Sequence, residues 1–217
     1  TYYIKWDANF EIQNFGSKYL SGDNQSHLYV DYHLGLRKTL ERIRAKYPDL
    51  VIQCCSSGGG RVNYGLMPYF DEFWVSDNTD AQQRLFIQWG TSMFFPACAM
   101  AQHVSASPNH QTGRVIPLKF RFDVAMTGRL GLEMRPSDLS ERELEYAKQA
   151  IATYKEIRPI IQQGNQYRIL SPYDKTGYAS ELYITDDKSD AVFFAYKFEH
   201  YVDQFRPRFH FAGLDPD

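Results

Sequence analysis

The sequence is poor in net charge, in cysteine and in long apolar runs, and each shortage excludes a class of function. With 24 Lys and Arg against 26 Asp and Glu, the formal net charge is −2 and the pI is near 6.3. That balance leaves no electrostatic footprint for nucleic acid or an anionic membrane. The three cysteines, Cys54, Cys55 and Cys98, include an adjacent pair too close for an ordinary disulfide, and they lack the Cys-x-x-Cys spacing of zinc and redox sites. They read as buried thiols or site walls. No apolar run approaches the roughly 18 residues of a membrane helix, and no basic-then-apolar leader precedes the first strand. No internal repeat is visible. The chain opens without methionine inside what reads as a strand, so it is expected to be a piece of a longer protein. Its localisation and any targeting signal are left open.

What is present is the material of a core. The 217 residues are 43% hydrophobic and 23% charged, enough to bury one or two globular domains. Aromatics reach 16%, and since sugar faces stack on such rings the excess leans toward carbohydrate.

The chain is organised around residues 53–80, which read Gln-Cys-Cys-Ser-Ser-Gly-Gly-Gly-Arg, then nine residues, then Asp-Glu-Phe-Trp-Val-Ser-Asp-Asn-Thr-Asp. Residues 50–55 form a short apolar run that stops at three glycines, the pattern of a strand buried on both faces whose backbone must then approach something closely. On a second strand Phe73, Val75 and Asp77 share one side by alternation, which delivers Asp77 at the carboxyl end. An acid there is costly unless it works or is paired.

A counterpart stands at the start of the chain. In Thr-Tyr-Tyr-Ile-Lys-Trp-Asp, Lys5 and Asp7 share one face of one strand, about 7 Å apart at roughly 3.3 Å per residue. A lysine so placed favours the ionised form of Asp7. One carboxylate held charged and a second without an obvious cation match the needs of a nucleophile and a general acid.

In chain order, residues 14–25 read as a loop and 27–46 as an amphipathic helix with Leu28, Tyr32, Leu36, Leu40 and Ile43 on one face. With the strand at 50–55 this makes a βαβ crossover and hence parallel strands. Thr79 and Asp80 are suitable caps for a helix over 81–92. Residues 97–104 read as a strand and 105–114 as a loop. The period of residues 115–126 is ambiguous, and the βα alternation favours a helix there and a strand over 130–134. A capping box at Ser140 to Glu143 opens a helix that runs to 163 and closes at Gly164. Short alternating segments over 167–170, 179–184, 191–196 and 208–211 follow as an antiparallel module. The division is expected near residue 165, giving domains 1–165 and 166–217. Five parallel strands fit either an open doubly wound sheet or part of a closed (β/α)8 barrel.

Tyr-Ile-Lys-Trp-Asp-Ala-Asn, Cys-Ser-Ser-Gly-Gly-Gly-Arg and Trp-Val-Ser-Asp-Asn-Thr-Asp-Ala, in this order, resemble the α-galactosidases of glycoside hydrolase family 36. Ala-Gln-His-Val-Ser-Ala-Ser-Pro-Asn-His-Gln, Leu-Gly-Leu-Glu-Met and Ala-Gly-Leu-Asp-Pro extend the likeness over essentially the whole chain. The resemblance implies an α/β fold, the C-terminal portion (about strands 4 to 8) of a (β/α)8 TIM barrel followed by a small antiparallel β-sandwich, and retaining hydrolysis of terminal α-galactosides such as melibiose or raffinose. It implies Asp7 as nucleophile on the fourth barrel strand, Asp77 as general acid/base on the sixth, and Lys5, Cys55 and Gly58 as contacts to galactose. No metal or organic cofactor is implied. The partners are α-galactoside oligosaccharides, with no nucleic acid and no membrane, and a homo-oligomer through parts of the full-length protein is compatible with it. The N-terminal β-sandwich and first three barrel strands of such enzymes would lie before Thr1, and the C-terminal sandwich would be cut short after Asp217. Arg-Val-Asn after the glycines, where many members have Arg-Phe-Asp, leaves the role of Asn63 open. Lys-Trp-Asp rather than the Lys-Val-Asp of plant raffinose synthases favours hydrolase over transferase.

Plainer readings stand beside these. Lys5 and Asp7 alone could be an ion pair closing a strand end, and an isolated triple glycine is more often a turn than a ligand loop. Cys55 alone is more often a buried apolar thiol. Two other functions remain: a catalytically incompetent chain that is at most a weak sugar-binding or assembly module, and a metal-dependent barrel hydrolase using His103 and His110.

Overall fold

In a computed structural model, residues 2–8, 16–200 and 206–214 are described. The chain forms two compact units, Thr1–Asp77 and Asn78–Asp217.

The first unit is built on three parallel strands. β1 (Tyr3–Asp7) pairs with β2 (Val51–Cys55), with Asp7 opposite Cys55, and β2 pairs with β3 (Glu72–Trp74). Between β1 and β2 runs α1 (Leu28–Lys46), so the predicted crossover is present. A 3₁₀ turn, Gly22–His27, leads into it where a loop was expected. Its predicted apolar face is a correction: of that face only Leu40 is fully buried, while Tyr32 stays exposed. β2 is buried over Ile52–Cys55, as an apolar run with no alternation requires. Its polar member, Gln53, is accommodated by a partner, donating from Nε2 to Glu72 Oε1 at 2.7 Å, while Tyr3 donates its hydroxyl to the same oxygen at 2.8 Å. Arg44 fastens α1 to the strands, reaching the Tyr69 carbonyl and, at 2.6 Å, Asp71 Oδ2. That carboxylate also accepts the Ile52 N–H.

The second unit holds a parallel pair, β4 (Met100–Ser105) and β5 (Arg129–Glu133), and an antiparallel sheet β6–β7–β8 (Asn165–Leu170, Tyr178–Ile184, Ala191–Lys197). The helices are α2 (Ala81–Thr91), α3 (Leu118–Ala125) and α4 (Glu141–Gln163). The ambiguous stretch is therefore helical where it is regular. α4 opens on the expected capping box, with Ser140 accepting from the Glu143 N–H and Glu143 accepting from that of Ser140. It ends at Gly164 in an extended conformation rather than the left-handed one that usually closes a helix. Phe122, Val104, Tyr154, Ile161 and Tyr183 lie in one buried cluster that joins helices, strands and the antiparallel sheet. The change of pattern read at residue 165 thus falls inside the second unit. Residues 208–211 form no strand: Phe209 and Phe211 instead pack their rings edge-on against Phe193 of β8. Side-chain packing, not a backbone ladder, explains the alternation there. No described helix is long and apolar enough to cross a membrane.

Candidate active site

Lys5 and Asp7 project from the carboxyl end of β1, with Lys5 Nζ 4.0 Å from Asp7 Oδ2. The lysine also lies 5.3 Å from the centroid of the Trp74 ring, a cation–π distance. Trp74 is buried, as a core residue should be, yet its ring also sets where the ammonium can stand. Sequence alternation gave no sign of that second duty.

Cys55 ends β2 directly across from Asp7. Burial pushes its thiol up to about 11, an effect opposed by the Gly58 N–H and the Lys5 charge and reinforced by the nearby Asp7 carboxylate. Cys55 is therefore a neutral thiol at physiological pH, not a nucleophile. The expected consequence is slow alkylation. At pH 8 about one Cys55 in a thousand is thiolate, so iodoacetamide should label it about two hundred times more slowly in the folded protein than in the urea-unfolded chain. Peptide mass spectrometry over time measures this, and equal rates would remove the thiol from its place beside Asp7.

The loop after β2 explains its glycines. Gly58 has φ +82°, and a Cβ there would sit 2.7 Å from the Ser76 Cα. At Gly60 a Cβ would sit 2.6 Å from the Ser56 carbonyl oxygen. Only glycine fits at both. The loop is thus a tight turn, closed by Ser56 N–H to Gly58 O and Gly60 N–H to Ser56 O, whose first glycine is pressed against the chain entering Asp77.

Asp77 itself corrects the sequence reading. β3 ends at Trp74, so Asp77 lies three residues beyond the strand and alternation with Phe73 and Val75 does not aim it. Its place comes from Ser76, whose backbone rests on Gly58. Asp77 is exposed. Lys5, Asp7, Cys55, Gly58 and the start of the Asp77 segment are therefore brought together in the first unit by β1, β2 and one glycine contact. Asn63 has a structural part: its Oδ1 accepts the Leu66 N–H at 3.1 Å and its Nδ2 donates to the Arg61 carbonyl, closing a turn.

Arg61 belongs to the glycine motif, which by itself gives the residue no role. In the fold its guanidinium is buried and Nη2 donates to the carbonyls of Trp6 at 3.1 Å and Cys55 at 2.9 Å. An arginine closing a glycine turn after a buried strand was the available signal. His103 and His110 lie in the second unit, the first on β4 and the second exposed in the following loop. Among the described residues no three His, Cys, Asp or Glu side chains converge as a ligand set would.

The melibiase family model matches residues 1–164. The chain belongs to the melibiase family. Among its relatives, α-galactosidase AgaA of Geobacillus stearothermophilus is 42% identical over 190 residues, covering 88% of this chain and 26% of AgaA. The probable α-galactosidase C of Aspergillus terreus is 40% identical over 215 residues, 99% of this chain and 27% of its own length. The crystal structure of AgaA, a glycoside hydrolase family 36 enzyme, superimposes with a TM-score of 0.94 over 99% of this chain and 30% of that one, at 39% identity. Other crystal structures of AgaA variants hold raffinose and stachyose. The chain thus spans about 26–30% of the length of these relatives. The likeness to family 36 α-galactosidases is established, and parallel strands alternating with helices before a small antiparallel sheet fit part of a TIM barrel.

Proposed function

We propose that this melibiase chain supplies both catalytic carboxylates of a retaining α-galactosidase that releases terminal α-galactose from raffinose-type oligosaccharides. The observation that carries the proposal is Asp7 beside the Lys5 ammonium and opposite Cys55 at the carboxyl end of β1, with Gly58 tying the Asp77 segment to the same end. Carboxyl ends of barrel strands are where such enzymes place their chemistry. A further support is spacing: the aspartates replaced in the AgaA raffinose and stachyose complexes stand as many residues apart as Asp7 and Asp77.

In the proposed reaction Asp7 attacks the anomeric carbon while Asp77 gives its proton to the leaving glycosidic oxygen, forming a β-galactosyl ester on Asp7. Asp77 then takes a proton from water, which attacks the same carbon and frees Asp7. Two inversions leave the α configuration. Lys5, Cys55 and Gly58 are assigned as contacts to galactose hydroxyls, most useful where those contacts tighten as positive charge builds on the ring. β1 and β3 would then be the fourth and sixth strands of the barrel.

Proton NMR at the earliest times of hydrolysis by the full-length protein should show α-galactose before mutarotation, and a first-formed β anomer would refute double displacement. Asp77→Ala gives an independent check. Its kcat/KM on raffinose should fall about 10³-fold, while a nitrophenyl α-galactoside, whose leaving group needs little protonation, should lose far less. Equal losses on both substrates would remove Asp77 from the acid/base role.

A further inference from the structure

Arg61 is an unusual choice for an interior position. It is only 8% exposed, its Nε has no hydrogen-bond partner, and among the described residues no carboxylate pairs with it. A buried cation without a counter-charge is costly, and a methionine would fill similar space without that cost. What the guanidinium does have is two carbonyls. The Trp6 carbonyl belongs to the peptide unit that leads directly into Asp7, and the Cys55 carbonyl to the one that leaves Cys55, which also accepts the Ala8 N–H at 3.1 Å. Arg61 also lies against the Cys54 thiol, which burial pushes up and the arginine draws down. One nitrogen of the planar guanidinium, Nη2, therefore clamps through its two N–H bonds the peptide planes that set the Cα–Cβ directions of Asp7 and Cys55, and the guanidinium plane fixes the direction of both bonds.

We propose that Arg61 is a positioning residue for Asp7, fixing the attack direction of its carboxylate by clamping the Trp6 and Cys55 carbonyls. The inference rests on the catalytic reading of Asp7 given above. A misplacement on the order of 1 Å at the nucleophile costs about 10²-fold in rate with little change in substrate binding.

The test uses the full-length protein, with Asp7→Asn as reference in the same assay. Arg61→Met should fold, lower kcat on a nitrophenyl α-galactoside about 100-fold, and move KM by less than about threefold. Arg61→Ala opens the space that methionine would fill, and there millimolar guanidinium ion should restore about tenfold of the lost kcat, because the cavity accepts the same planar donor. Arg61→Lys should fall between the unsubstituted protein and Arg61→Met, and it decides the matter if Arg61→Met does not fold. Unchanged kcat in Arg61→Lys, or in folded Arg61→Met, would overturn the proposal. So would parallel losses in kcat, KM and thermal midpoint without guanidinium rescue, which would mark Arg61 as general scaffold. Should Asp7→Asn retain full turnover, the catalytic reading itself fails, and that outcome is visible whatever Arg61 does.

Discussion

Asp7→Asn is expected to reduce kcat/KM on a nitrophenyl α-galactoside by about 10⁴-fold or more, equivalent to at least ~5.5 kcal/mol of lost transition-state stabilisation. The substitution keeps size and planarity, so Lys5 and Trp74 need not move. What disappears is the carboxylate proposed as nucleophile. An amide cannot form the glycosyl ester, and near Lys5 it no longer offers the charge that balances an oxocarbenium-like centre. Loss should appear mainly in kcat. Asp7→Gly, which opens space at the same place, should regain turnover in azide and yield β-galactosyl azide, because the external anion attacks from the side the carboxylate occupied. Near-normal turnover in Asp7→Asn, or α-galactosyl azide from Asp7→Gly, would sink the nucleophile assignment.

The parts of this site that could be read from the sequence are those governed by local chemistry. Residues 50–55 announced a doubly buried strand, because a short, continuously apolar run that stops at glycine suits a strand covered on both faces, and β2 is that strand. Lys5 and Asp7 share a face by alternation alone. Asp80 and Ser140 were legible as caps, since a short polar side chain before an apolar-periodic run has a local hydrogen-bonding duty. What escaped depends on residues distant in sequence. The ladder of β3 with β2 has its last pair at Phe73 and the strand stops at Trp74, so the reading of Asp77 as a strand residue overran by three positions. Arg61 reaching back to Trp6, and Trp74 lying beside Lys5, are contacts across 55 and 69 positions of sequence that no periodicity encodes. The exposed face of α1 shows the converse limit: a 3.6-residue stripe states that a face is apolar, not what covers it.

The largest stability effect is expected in the second unit, at Asp80. Its side chain is wholly buried, and it does more than cap α2 through the Gln82 and Gln83 N–H groups. Arg114 Nη1 donates to both of its oxygens at 2.7 and 2.8 Å, and Thr112 donates its hydroxyl at 2.6 Å. The loop that carries these two residues is tied to the same turn by Asn109 and Ser105, which donate to Thr79 Oγ1 and to its carbonyl. Burial raises the cost of charging Asp80, but the Thr112 hydroxyl, the Gln83 N–H and Arg114 outweigh it and hold the carboxyl below the usual aspartate value. A depressed folded value means stability that is present above the unfolded value, about 3.9, and is lost as the pH falls through the folded one. Asp80→Ala removes the cap and strands Arg114, and should cost about 3–5 kcal/mol. Arg114→Met leaves a buried carboxylate with only neutral donors; because the arginine is partly solvated, about 2–3 kcal/mol is expected. Urea midpoints of the two single variants and the double variant test the pairing. The double variant should cost clearly less than the sum, since each single change leaves the other partner unpaired. Asp80→Asn should also flatten the acid limb of the stability curve. Strict additivity, or an acid limb unchanged in Asp80→Asn, would show that the carboxylate is a cap alone and that the loop is held by its neutral hydrogen bonds.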